Sequence, residues 1–152
     1  MSKIVDYYLT PQSPWAYLGG KRFAEIVKKH GATVAVKPID LGKAFSVSGG
    51  LPLAKRPPQR QAYRLLELAR WKKKLGVPLV THPTNFPGDG KPASLMIIAA
   101  RMNGDDALAL ANACGAALWA EDRNVADWDV LVDVANKLGM DGAGLRRAAE
   151  TN

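Results

Sequence analysis

The chain has 152 residues, enough for one domain with a sizeable core. Hydrophobic residues make up 47% and charged residues 23%, ordinary for a globular protein, and no apolar run approaches the roughly 20 residues that span a bilayer. The net charge of +7 is clustered, with eight Lys and Arg residues between Lys55 and Lys74.

Such a cluster is either the solvated face of a long helix or a means of steering a small anion. Nucleic acid is not the expected partner, because aromatic residues do not alternate with the basic ones and no nucleic-acid motif occurs. A single cysteine, Cys114, allows no internal disulfide and no Cys-x-x-Cys pair. With only His30 and His82 beside it, no ordinary zinc site can form, and no metal is expected. Met1-Ser2-Lys3 leads into an apolar segment too short for a secretory signal core, with no small-residue cleavage site behind it. The expected location is the cytoplasm, with no membrane contact.

Ile4-Val5-Asp6-Tyr7-Tyr8-Leu9 is rich in β-branched and aromatic residues and reads as a buried strand. Thr10-Pro11-Gln12 breaks it. Ser13-Pro14 then reads as a helix start, with serine at the N-cap and proline in the first helical position. Leu18, Phe23, Ile26 and Val27 supply the apolar side, and His30-Gly31 ends the helix. Thr33 to Lys37 is a second strand, stopped by Pro38. Strand, helix, strand in this short span is a βαβ unit with parallel strands and a right-handed crossover.

Leu41 to Lys55 reads as a short helical turn and a loop. Pro58 to Gly76 reads as a long helix with Ala62, Leu65, Leu66 and Ala69 on its inner side. Val77 to Pro92 holds four prolines and no helical period, so it is a long ordered loop of the kind that borders sites. Three more helices follow. The first has Leu95, Ile98, Ala99 and Met102 at helical spacing. Asp105 is expected to cap the next, which carries Leu108, Ala111, Leu118 and Trp119. Asp127 is expected to cap the third, with Trp128, Leu131, Val132, Ala135 and Leu138 inward. Asp141 opens a last short helix. Two parallel strands leave both sheet edges unpaired, which calls for a partner chain or for further strands.

The turn at Ser13 is where chemistry is expected. A helix N-terminus presents orphan N–H groups and roughly half a positive charge, a setting that favours anions. Redox proteins place a low-pKa cysteine thiolate in such a field. Here the corresponding positions are Ser13 and Ala16. No His-Asp pair is evident to make Ser13 a nucleophile, but its hydroxyl can donate a hydrogen bond to an external thiolate. The plain alternative is a helix cap.

The segment from Asp6 to Leu18, containing Ser13-Pro14-Trp15-Ala16-Tyr17, resembles the start of the 2-hydroxychromene-2-carboxylate isomerases. These are relatives of kappa-class glutathione transferases among the DsbA-like thioredoxin folds. Further matching stretches follow in order: Lys37 to Gly42, Arg56-Pro57-Pro58 with Gln61 to Arg64, Leu75 to Leu79, His82 to Pro87, and Ala117 to Glu121. The resemblance implies an α/β fold with a thioredoxin-like βαβ half over residues 1–40. A helical insertion would occupy 41–140, and a return to the thioredoxin-like part would begin at 141–152. It implies glutathione as cofactor, with Ser13 as the catalytic residue stabilising its thiolate and Ser13, Pro14, Trp15 and Gly50 as its contacts. It implies an anionic aromatic substrate near Lys43, Phe45 and Asn85, with Lys43 pairing with the carboxylate. Phe45 and Trp15 would line an aromatic pocket or pack in the core. Tyr17 would be structural, and the chain a homodimer.

The sequence departs from the family in two places. Where kappa relatives carry an Asn before the Pro-Pro run and a Lys nine residues later, this chain has Gly50 and Gln59. The C-terminal ββα part of the family, with its cis-proline strand, has no counterpart after Gly144. A truncated chain or fragment is therefore expected, in which glutathione affinity would be weak or absent. The implied activity is glutathione-dependent cis-trans isomerisation in aromatic degradation. The alternatives are a kappa-like transferase acting on another electrophile and a non-catalytic thiol-binding module.

Overall fold

The computed structural model describes residues 3–151. Strand β1 (Ile4–Leu9), helix α1 (Pro14–His30) and strand β2 (Thr33–Pro38) open the chain. Helix α2 (Leu41–Ser48), a 3₁₀ turn (Leu53–Lys55) and helix α3 (Pro58–Leu75) follow. Helices α4 (Lys91–Asn103), α5 (Ala107–Trp119), α6 (Trp128–Lys137) and α7 (Gly142–Glu150) complete the described fold. The two strands are parallel, in the register Ile4↔Thr33 to Leu9↔Pro38, as the βαβ reading requires.

Local signals placed most boundaries. Ser13 caps α1 with Pro14 behind it, and Gly31 closes that helix in the left-handed region at φ 57°. Asp127 and Asp141 cap α6 and α7 as expected. The cap of α5 is Asp106, not Asp105: its Oδ1 accepts the Ala109 N–H at 2.9 Å. Asp105 is held elsewhere, because its own N–H bonds back to the Ala100 carbonyl as part of the α4 closure.

Burial corrects four expectations. Strand β1 is not buried: Leu9 is covered and Tyr7 half-covered, but Ile4 and Tyr8 are 72% and 59% exposed. The inner face of the sheet carries Tyr7, Leu9, Val34 and Val36 against the helices, with the Tyr7 and Phe23 rings 4.5 Å apart. The outer face carries an ion pair between Asp6 and Lys37 at 2.8 Å. Alternation along the strand, not a continuous apolar run, decides its burial.

Helix α3 buries only Leu68, while Ala62, Leu66 and Ala69 are exposed. It docks through a narrow stripe that also half-buries Leu65, Arg64 and Leu75. Helix α4 buries Ala93, Met96, Ile97, Ala99 and Ala100 and leaves Met102 outside. It touches β2, α5, α6 and α7 at once, so it is apolar nearly all round and its pattern selects no single face. Leu138, expected inward, is the exposed C-cap of α6.

The core is one cluster around α4 and α5, with Leu18, Val36, Leu68, Leu131 and Leu145 closing in from the other elements. Helix α1 approaches α5 closely: a Cβ at Gly115 would lie 3.3 Å from the Cβ of Tyr17. This contact holds the start of α1, and with it Ser13, against the core. No helix among the described residues is long and apolar enough to cross a membrane.

Candidate active site

Both parallel strands end on the same side. The Ile39 N–H continues the ladder to the Leu9 carbonyl at 2.8 Å, so the chain leaves β1 and β2 side by side. It turns through Thr10-Pro11-Gln12 into α1 and through Asp40 into α2. The start of α4 comes up to the same place. Between them lies a cleft of about 610 Å³, bordered by Thr10, Gln12, Asp40, Lys43, Lys91 and Ser94 among others. Clefts beyond the carboxyl ends of parallel strands are the usual binding places in α/β sheets.

Ser13 stands one residue past the wall of this cleft. Its backbone is extended (φ −75°, ψ 120°), and its Oγ accepts the Ala16 N–H at 3.3 Å. Its own N–H donates to the Thr10 carbonyl at 3.0 Å. The residue is half-buried, and its hydroxyl proton has no acceptor among the described residues. The cap bond is long for its class, so the hydroxyl is only lightly held. Pro14 is buried behind it, and Trp15 is partly exposed at the rim.

Gln12 was not anticipated. Its Nε2 is sealed from solvent without a hydrogen-bond partner among the described residues. A Cβ at Gly90 would lie 3.2 Å from the Gln12 side chain, and one at Gly88 would lie 2.7 Å from the Asn85 carbonyl. The loop thus passes closely over Gln12, and at Gly88 a side chain would force the backbone to shift. In sequence, the glycine pair in Pro87-Gly88-Asp89-Gly90 was the available sign.

Lys43 is brought to the cleft, as expected, and faces it together with Lys91. The carboxylates beside them serve the backbone: Asp40 Oδ1 accepts the Lys43 N–H at 3.1 Å and Asp89 Oδ1 the Lys91 N–H at 2.8 Å. Neither lysine ammonium has an ion-pair partner among the described residues.

Phe45 and Gly50 lie together but not in the cleft lining. A Cβ at Gly50 would run into the Phe45 ring, and the Arg56 guanidinium sits 5.9 Å from that ring's centre. Asn85 is half-buried in the proline-rich loop. Lys43 borders the cleft beside the turn before Ser13, and Phe45, two residues on in α2, packs against Gly50 outside that lining.

The loop between α3 and α4 is ordered by several anchors. The Thr84 N–H and Oγ1–H both donate to Asp122 at 2.7 Å, and the Val80 N–H donates to the Trp119 carbonyl at 2.6 Å. The Tyr17 hydroxyl donates to the Pro78 carbonyl at 2.6 Å. Burial, and secondarily the Glu121 carboxylate, push the Tyr17 phenol above its ordinary pKa. Tyr17 is structural in this arrangement. Tyr17→Phe is expected to cost about 1 kcal/mol in a denaturant melt, and an unchanged midpoint would mean that the bond contributes nothing.

Cys114 is fully buried in α5, and burial raises its thiol pKa to about 12. It should react with a thiol reagent such as Ellman's only once the chain is unfolded. Rapid labelling of the folded chain would contradict that burial. Among the described residues no group of three or more His, Cys, Asp or Glu side chains is placed to hold a metal.

Comparison with known proteins agrees with this architecture. A 2-hydroxychromene-2-carboxylate isomerase of Pseudomonas putida is 31% identical over 84 residues, which are 55% of this chain and 41% of the relative. An enzyme of the same name from Sphingobium xenophagum is 28% identical over 147 residues, 95% of this chain and 73% of the relative. A solved 2-hydroxychromene-2-carboxylate isomerase superposes with a TM-score of 0.79 at 25% identity, over 98% of this chain and 72% of its own. The match to the P. putida enzyme thus spans about two fifths of that protein's length. The DSBA-like thioredoxin domain matches residues 4–152, and with its βαβ start and helical insertion the chain belongs to the DSBA-like thioredoxin family.

Proposed function

We propose that this chain is a glutathione-dependent isomerase of 2-hydroxychromene-2-carboxylate or of a related aromatic-degradation intermediate, working in the cytoplasm. The observation that carries the reading is the Ser13 hydroxyl. It stands at the N-terminus of α1, accepts one weak cap bond, and keeps its proton uncommitted. The relatives named above carry the same activity in their names.

The residues present fit a thiol tripeptide at this end of the sheet. The Ser13 proton and the Lys43 and Lys91 ammoniums are donors without a described acceptor. Bound there, glutathione would supply a thiolate nucleophile for reversible addition to the conjugated substrate, held by Ser13 and the α1 N-terminus. Ser13 donates to the sulfur and, with the partial positive charge of the α1 terminus, holds it as thiolate. Serine itself forms no covalent bond. Pro14 fixes the turn, and Trp15 and Gly50 complete the contacts. Lys43 binds the substrate carboxylate, and Phe45 and Asn85 complete the aromatic subsite. The open sheet edges favour a homodimer, which sedimentation of the purified chain will test.

The deciding experiment follows the absorbance of 2-hydroxychromene-2-carboxylate with and without glutathione. Turnover only with glutathione supports the reading. Turnover independent of the thiol, or none at all, overturns it.

A further inference from the structure

Helix α3 rests chiefly on α1 and buries only Leu68. At about 3.6 residues per turn, Tyr63, Leu66, Arg70 and Lys73 lie on the side opposite Leu68, and all four are exposed. Leu66 is 59% and Tyr63 52% exposed. Ala62 and Ala69 extend the apolar strip beside them, both open to solvent. Trp71 is partly exposed on the flank, with the Lys74 ammonium 5.2 Å from its ring centre. With Ala62, Leu66 and Ala69 turned inward, as the sequence suggests, α3 would have no apolar outer face; the structure gives it one.

The same helix is strongly basic. Arg60, Arg64, Arg70, Lys72, Lys73 and Lys74 stand against a single acid, Glu67, and that acid pairs with Arg70. Lys72 donates to the Leu79 carbonyl at 2.8 Å. Arg60, Lys73 and Lys74 are exposed, and no described carboxylate pairs with them. Leucine and aromatic side chains ringed by long cationic ones suit a helix lying in a lipid headgroup layer. There the apolar tips enter the acyl boundary, tyrosine and tryptophan sit at headgroup level, and lysines reach back to the phosphates. Other occupants answer only half of this pattern. A second copy docked through the same face would set the basic row against itself. A nucleic acid would meet the charge and leave Leu66 in water.

We propose that the outer face of α3 docks this chain on an anionic phospholipid surface, with Leu66 and Tyr63 entering the interface and Arg60, Lys73 and Lys74 meeting lipid phosphates. Helix α3 is not long and apolar enough to cross a membrane, so it lies in the plane of the surface. The contact weakens with salt, because exposed charges are screened beyond about 10 Å at 0.1 M ionic strength. The inference stands apart from the isomerase reading, since none of these residues lines the cleft beside Ser13.

The test is cosedimentation of the whole chain with vesicles of phosphatidylcholine alone and of equal parts phosphatidylcholine and phosphatidylglycerol. The variants are Leu66→Asn, Tyr63→Ser and the double change Lys73→Gln with Lys74→Gln. The control is Lys137→Gln with Arg147→Gln, which removes the same charge from exposed positions on α6 and α7. The wild type should bind the anionic vesicles and not the neutral ones. Affinity should fall about tenfold or more in the lysine pair and in Leu66→Asn, and stay near the wild-type value in the control. Every substituted side chain is exposed, so the variants should melt with the wild type, and Tyr63→Ser serves if Leu66→Asn does not.

No binding to the anionic vesicles, or equal binding to the neutral ones, overturns the proposal. So does binding that the lysine pair weakens while Leu66→Asn and Tyr63→Ser leave it intact, because that is adhesion by charge alone. A Leu66→Asn change that shifts the sedimentation of the lipid-free chain would make the face a contact between copies. A single-stranded oligonucleotide that displaces the chain from the vesicles at equal phosphate concentration would make it a nucleic-acid surface. Either result removes the lipid as occupant.

Discussion

Ser13→Ala is expected to lower glutathione-dependent turnover by about 10²–10³-fold, the usual cost of removing one donor aimed at developing or stabilised negative charge. The change removes a single oxygen at the mouth of the α1 turn. That oxygen accepts only a 3.3 Å cap bond from Ala16, so stability should fall by about 1 kcal/mol or less. The two readouts separate the two roles of the residue. A serine that holds a thiolate gives a large kinetic loss and a small thermal one. A serine that merely caps gives the small thermal loss with turnover intact, and that result would remove Ser13 from the mechanism. The bell of the pH profile should respond as well. Without the hydroxyl the bound thiol loses a donor to its anionic form, so its pKa rises and the alkaline pH needed for full rate rises with it.

Trp119→Ala is expected to cost about 3–5 kcal/mol, a large share of the roughly 5–15 kcal/mol that keeps a domain folded. Trp119 is fully buried at the end of α5, and its ring lies 4.8 Å from that of Phe86. Its indole N–H has no partner among the described residues, so the loss comes from packing and not from a broken hydrogen bond. Trp119→Phe keeps most of the ring and removes the stranded N–H, and should cost clearly less. Urea melts of the two variants check this, and equal costs would refute the packing argument. The alanine variant also takes away the ring on which Phe86 and Arg64 rest.

Much of the site was legible because its signals are local. Ser13 before Pro14 predicts a cap, and the hydrogen-bonding geometry of a helix start makes it one. Lys43 reaches the cleft because Asp40 starts α2 directly beyond β2. The proline count of the loop before α4 announced an ordered segment, and the Thr84–Asp122 pair ties it down. Gln12 could not be singled out, since its isolation depends on glycines more than 70 residues away in sequence. Asp105 and Asp106 are equivalent as letters, and only the closure of α4 chooses between them.

The sequence by itself determined the βαβ start, the Ser13 turn, the absence of a cysteine pair and the number and order of the principal helices. Each of these follows from capping, backbone restriction or composition within a few residues. The tertiary structure alone decided which faces of α3 and α4 turn inward and that one side of the sheet stays open. It also decided that, of the eight basic residues between Lys55 and Lys74, Arg64 is held against the Phe86 and Trp119 rings with no ion-paired carboxylate among the described residues. Burial and charge pairing belong to the neighbours a residue meets in space, and those neighbours are assembled only when α3, the proline-rich loop and the end of α5 pack together.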